Sequence, residues 1–190
     1  VDNYLDEKLD AGTKPNNKPY KDGKHYTGKE HVWDEGFGYF GAAAHTLSLT
    51  ADQAYGIAKR KDMASADANG DGLVDLKSEM VFGPAYYAAA FDRSGSKSTN
   101  YLNNIMKAYV DGRMVITSAD GAILTDGQRQ EIKNYASVIE SNWEQVLAEA
   151  VFKYAGSAYK DISKVQEDGA DQAKAYNAAS ARTCSQLDSI

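Results

Sequence analysis

A single cysteine, Cys184, stands among the 190 residues, which excludes an internal disulfide, a cysteine-based zinc site and any two-cysteine redox motif. Although 43% of the chain is hydrophobic, nowhere does it hold the roughly 18 to 20 consecutive apolar residues that would span a bilayer. Lysine and arginine number 21 against 27 acids, for a net charge of −6 with no basic run. A surface able to neutralise a series of phosphates is therefore not expected, and nucleic acid is set aside as a partner. Valine and isoleucine are sparse and never alternate with polar residues over more than a few positions, so no strand is expected. Both HExxH and GxSxG are absent, which removes the commonest zinc-protease and serine-hydrolase arrangements. The sequence opens on Val1 rather than Met, so an export signal ahead of it would not be visible here.

What is present is helical. The text from Asp10 to Lys29 is rich in Gly, Asn, Lys and Tyr, with Pro15 and Pro19 opposing a helix, and is expected to be a long irregular loop over 10–29. Upstream, Tyr4, Leu5 and Leu9 have the spacing of a helix end. Downstream, Thr50 with Gln53 and Thr125 with Gln128 write two capping boxes. A helix from Ala51 to Met63, another near Pro84 to Arg93 and a third over Tyr101 to Ile116 follow from the periodicity. The longest stripe runs Ile132, Tyr135, Ile139, Trp143, Val146 and Ala150, with a kink expected near Gly156. Asp168 and Gly169 then punctuate before an Ala-rich final helix that carries Cys184. These readings make an all-α, antiparallel helical bundle, a single all-helical domain over 1–190.

The sharpest chemical signal is Asp67-Ala-Asn69-Gly-Asp71-Gly72-Leu73-Val-Asp75. Oxygen donors at loop positions 1, 3 and 5, a glycine at 6, a backbone carbonyl at 7 and an acid at 9 are what an EF-hand-like calcium loop requires. Calcium ligands are thus expected from Asp67, Asn69, Asp71, the Leu73 carbonyl and Asp75. Position 12, where a bidentate Glu normally closes the sphere, is Ser78, and the acid comes one residue later as Glu79. Either Glu79 still reaches the ion or the site is open and weak, and Glu79 is expected as the closing calcium ligand. The alternative is an Asp/Asn/Gly-rich turn with no ion.

His31 and Glu35 stand four apart, so on a helix they share a face and can offer an imidazole and a carboxylate to a second metal, iron or zinc. A third donor would have to come from His25, His45 or an acid of the loop. The competing reading is a helical His paired with a carboxylate. The glycines at 36, 38 and 41 follow at once. Each costs about 1 kcal/mol inside a helix relative to Ala, so close backbone approach by a facing helix or a ligand is expected there. Gly23 to Lys29 has the spacing of a phosphate-binding loop, but Glu30 replaces the required hydroxyl and no strand precedes it.

The run from His31 to Gly41, HVWDEGFGYFG, resembles the signature of an uncharacterised bacterial family of exported proteins and lipoproteins, specifically over Tyr26 to Gly41. The resemblance implies that the chain is a portion of a longer protein. It is more distantly similar to the imelysin-like proteins, helical-bundle exported proteins associated with iron uptake and marked by a GxHxxE motif. Here Gly28 lies three residues before His31 rather than two, and Asp34 takes the place of the motif's Glu, with Glu35 next. The resemblance implies an exported, periplasmic, lipoprotein or extracellular metal-binding protein without catalytic activity. A calcium-stabilised structural or adhesive module, with a protein partner or self-assembly, is the rival reading. A hydrolase built on the carboxylates near His31 is a third and weaker one.

Overall fold

The computed structural model describes residues 14–94 and 98–187, with backbone alone at residues 175 and 178–187. The Tyr4 to Leu9 segment lies outside the described residues. Among the described residues five α-helices and one 3-10 turn carry the regular structure: α1 (Gly28–Phe40), the turn Thr46–Ser48, α2 (Ala51–Ala58), α3 (Gly83–Ser94), α4 (Tyr101–Ser118) and α5 (Asp126–Leu187). Among the described residues the only strand-like pairing is an isolated antiparallel bridge between Pro19 and Thr27. The all-α class holds. The described residues divide into two units between Leu147 and Ala148, and each is treated by itself.

The first unit begins with the loop that the prolines forbid from coiling. Its irregular part ends earlier than expected, because Thr27 caps α1 reciprocally with Glu30: the Glu30 N–H donates to Thr27 Oγ1 at 3.1 Å, and the Thr27 N–H to Glu30 Oε2 at 2.7 Å. Two orphan donors are satisfied in this way, which offsets the cost of opening a helix on Gly28. The loop is also pinned from below. Buried Asn16 accepts from the Thr27 hydroxyl at 2.9 Å and donates to the Ala122 carbonyl at 3.1 Å.

Helix α1 stops at Gly41, whose φ of 76° supplies a left-handed cap while its N–H donates to the Phe37 carbonyl. A side chain there would also meet the Phe82 carbonyl, which lies 3.0 Å from the Cβ position. The Gly41 requirement is thus both conformational and steric. Gly36 is buried, but a Cβ on Gly38 would meet nothing within 4 Å, so the expected close approach does not extend to that residue.

The tightest approach is on α4. A Cβ on Gly112 would stand 2.2 Å from Trp33 Cζ2, so the indole, 1% exposed, occupies the space a side chain would need. The indole N–H donates to the Tyr109 carbonyl at 2.8 Å, and the Tyr109 hydroxyl donates back to the Gly36 carbonyl at 3.0 Å. Trp33, Phe37 and Phe40 surround the Tyr109 ring at centroid separations of 5.7, 5.6 and 5.8 Å. Burial pushes the Tyr109 phenol well above its ordinary pKa, so it stays a donor. Leu102, Ile105, Met106 and Ile116 of α4 complete the buried face, as the helical period implies.

Helix α2 starts on its Thr50 to Gln53 capping box but ends at Ala58 rather than Met63. Gly56 explains the difference. A Cβ there would lie 2.8 Å from Asp62 Cβ, so the chain folds back across the bare backbone, with the Lys61 N–H donating to the Gly56 carbonyl at 2.8 Å and Arg60 at φ 57°. Helix α4 receives its N-terminal cap from another helix. Its own Asn100 makes no side-chain cap, and Asp92 of α3 accepts from the Tyr101 and Leu102 N–H groups, each at 2.8 Å, and from the Thr99 hydroxyl.

The Thr125 to Gln128 box opens α5. Ile132, Ala136, Ile139 and Val146 are buried, at the four and three spacing of a core stripe. The expected break at Asp168-Gly169 does not occur, and the helix also runs through Gly156 without interruption. A glycine withdraws only about 1 kcal/mol and leaves the backbone hydrogen bond intact, whereas proline would remove it. In the second unit α5 carries exposed side chains, Phe152 at 78% and Val165 at 69% among them. Cys184 lies on this helix, its side chain outside the described set.

Replacing Gly112 by Ala should drive a methyl into the Trp33 ring and lower stability by about 2 kcal/mol or more, the scale of an overpacked core. Denaturant unfolding would measure it, and a change within about 0.5 kcal/mol, the scatter of an ordinary surface substitution, would contradict the packing described.

Candidate functional site

The loop after α2 arranges its oxygens around its own backbone. Asp67 Oδ1 accepts from the Gly70 and Asp71 N–H groups at 2.9 and 3.1 Å, and Oδ2 from Gly72 N–H at 2.9 Å. Asn69 Oδ1 accepts from the Asp71 N–H at 2.9 Å, and Asp71 Oδ1 from the Leu73 N–H at 2.8 Å. Gly70 and Gly72 take φ of 73° and 82°, so the tight turn asked of position 6 is made where the sequence places it. Asp75 accepts from the Lys77 N–H and the Ser78 hydroxyl, each at 2.9 Å, and these bonds hold its carboxyl below the ordinary carboxylate value.

Glu79 closes the loop from inside. It is 5% exposed. Its Oε1 accepts from the Ala68 and Asn69 N–H groups at 3.1 and 3.4 Å, and Oε2 accepts from Asp75 N–H at 2.8 Å. A carboxylate that gathers backbone donors from both ends of a loop does part of the work of a bound cation, fixing the loop's ends together. No exit helix follows. The Glu79 N–H returns to the Asp75 carbonyl at 2.8 Å, a single turn, and Leu76 is left 68% exposed before α3 begins at Gly83. The EF-hand pattern of a helix on each side of the loop is therefore missing on both, since α2 also stops short.

His31 and Glu35 do face each other, Nε2 to Oε2 at 3.4 Å, with side chains 28% and 34% exposed. The His31 ring stacks on Tyr20 with centroids 3.7 Å apart, and Tyr26 lies 5.8 Å from it. The loop tyrosines thus bury themselves on α1 through the imidazole. His45 is engaged elsewhere, its Nε2 at 2.9 Å from the Ser65 carbonyl. Among the described residues no three His, Cys, Asp or Glu side chains are grouped so as to hold a metal ion.

A cluster that the sequence did not announce joins α1 to α4. Arg113 donates through Nε to Asp34 Oδ1 at 2.7 Å and through Nη1 to Glu30 Oε1 at 3.0 Å. Asp34, which takes the place of the motif's Glu, is bonded to Arg113. Burial raises the Asp34 carboxyl above its ordinary pKa against the opposing pull of Arg113. The only signal in the sequence was the neighbouring glycine, since Gly112 in an otherwise regular helical stripe asks for a close contact beside it.

The chain matches no protein-family model, no curated protein and no solved structure. Among the described residues no helix is long and apolar enough to cross a membrane.

Glu79→Gln would keep one acceptor and lose the other, leaving a loop N–H without its partner. We expect a loss of about 1 to 3 kcal/mol, read by chemical unfolding, together with faster amide exchange at Ala68 or Asp75. A wild-type unfolding midpoint in this variant would rule out the closing role.

Proposed function

We propose that the protein is a calcium-stabilised helical module, with a calcium ion taken by Asp67, Asn69, Asp71, the Leu73 carbonyl and Asp75, and with Glu79 holding the loop ends. The observation that supports this reading is the Asp67 carboxylate, which draws the N–H groups of Gly70, Asp71 and Gly72 around itself. Those bonds fold the loop tightly on itself, and a hard cation takes oxygen ligands alone from a loop of this spacing. The carboxylates of Asp67, Asp71 and Asp75 lie in an exposed loop, and among the described residues no lysine or arginine forms an ion pair with them. Extracellular modules of this type bind at roughly 10⁻⁴ to 10⁻³ M, which suits an exported or periplasmic protein in millimolar calcium.

An imelysin-like role in iron or zinc uptake rests on His31 and Glu35, whose facing imidazole and carboxylate supply two donors. On our reading this pair serves to dock the loop tyrosines. Iron or zinc retained by the wild type and lost from His31→Ala would favour metal uptake. Lowered stability with unchanged metal content would favour docking.

With about 10 mM calcium the folded state should gain about 2 kcal/mol by mass action at the affinity above. For a chain of this size that is a rise of about 4 to 8 °C in Tm. Asp71→Asn keeps an acceptor for the Leu73 N–H but loses the charge, and should abolish most of the rise. Superimposable melting curves in chelator and in calcium would refute the proposal.

A further inference from the structure

Beside the Trp33 and Tyr109 contact, α1 and α4 leave a groove of about 610 Å³, within the range of small-molecule sites. Its walls are Trp33, Phe37, Met106, Val110 and Met114, and its polar edge is formed by Asp34 and Arg113. We propose that this groove binds an apolar molecule carrying a cationic amine, with the ammonium taken by Asp34.

The charge of the edge selects the ligand. Arg113 donates through Nε to Asp34 and through Nη1 to Glu30 and to the Thr117 hydroxyl. Two carboxylates surround one guanidinium, so the edge is negative, and a fatty carboxylate would add a further charge of the same sign. Asp34 has the opposite need. Its Oδ1 accepts from Arg113, while Oδ2 accepts from no group among the described residues. The Asp34 side chain is 52% exposed, which leaves that second oxygen open to an ammonium donor. The apolar length then rests on Phe37 and on two methionines, whose unbranched side chains adapt to differing shapes.

Three ligands of one skeleton test the assignment by calorimetric titration of the whole chain at pH 7: 4-phenylbutylammonium, 4-phenylbutanol and 4-phenylbutanoate. The ammonium should bind one to one, about tenfold tighter than the alcohol, and the carboxylate should bind weakest. Asp34→Asn retains the Arg113 to Glu30 bond and should cost the ammonium about tenfold while leaving the alcohol unchanged. Met114, 64% exposed, can be replaced by Trp to obstruct the groove without disturbing the core, and should weaken both ligands. Carboxylate binding equal to that of the ammonium, an Asp34→Asn variant with unaltered ammonium affinity, or Met114→Trp with unaltered affinity for either ligand would overturn the proposal. So would failure of all three to bind, including the case in which sedimentation shows a second copy covering the groove.

Discussion

The architecture of the first unit depends on one contact, the Trp33 indole lying against the bare backbone of Gly112. It sets how closely α1 and α4 approach. With that separation fixed, the indole N–H reaches the Tyr109 carbonyl and the phenol reaches the Gly36 carbonyl, so two buried donors are satisfied that would otherwise cost about 1 to 3 kcal/mol each. The same approach brings Arg113 between Glu30 and Asp34. The polar edge of the groove therefore follows from a missing side chain on the opposite helix, whereas the α1 cap is local to Thr27 and Glu30.

Much of the helical layout was legible because it is written locally. The Thr50 and Thr125 capping boxes and the spacing of Ile132, Ile139 and Val146 need no knowledge of the rest of the chain. The Thr27 box uses the same grammar but is masked by flanking glycines and lysines, and the first helix was expected to begin two residues late. The reach of α2 was misread because its end is set by Asp62 folding over Gly56, a tertiary event. At Asp168-Gly169 the opposite error was made: weak helix formers were read as punctuation where neighbouring turns carry the helix through.

The site was legible to a different degree. The loop from Asp67 to Glu79 turns as its spacing implied, because Asx-type hydrogen bonds are local and follow from residue type. The role of Glu79 was not readable in the same way. Its partners at Ala68, Asn69 and Asp75 are backbone groups, which no sequence pattern marks. His31 illustrates the converse. The pairing with Glu35 follows from helical geometry, but the stacked Tyr20 comes from a loop whose path the sequence does not dictate. Gly112 and Arg113 lay in plain view, yet their meaning required Trp33 to be placed.

The cap of α4 by Asp92 carries a consequence for how the chain acquires its structure. A helix that supplies its own N-cap can begin as an isolated segment, and α2 and α5 have that autonomy. Helix α4 does not, since the carboxylate that receives its first N–H groups belongs to α3. Its first turn is therefore conditional: until α3 is formed and in register, those donors compete for water and the helix frays from its start. A single aspartate thus ties the first turn of the helix that packs on Trp33 to the neighbour that caps it.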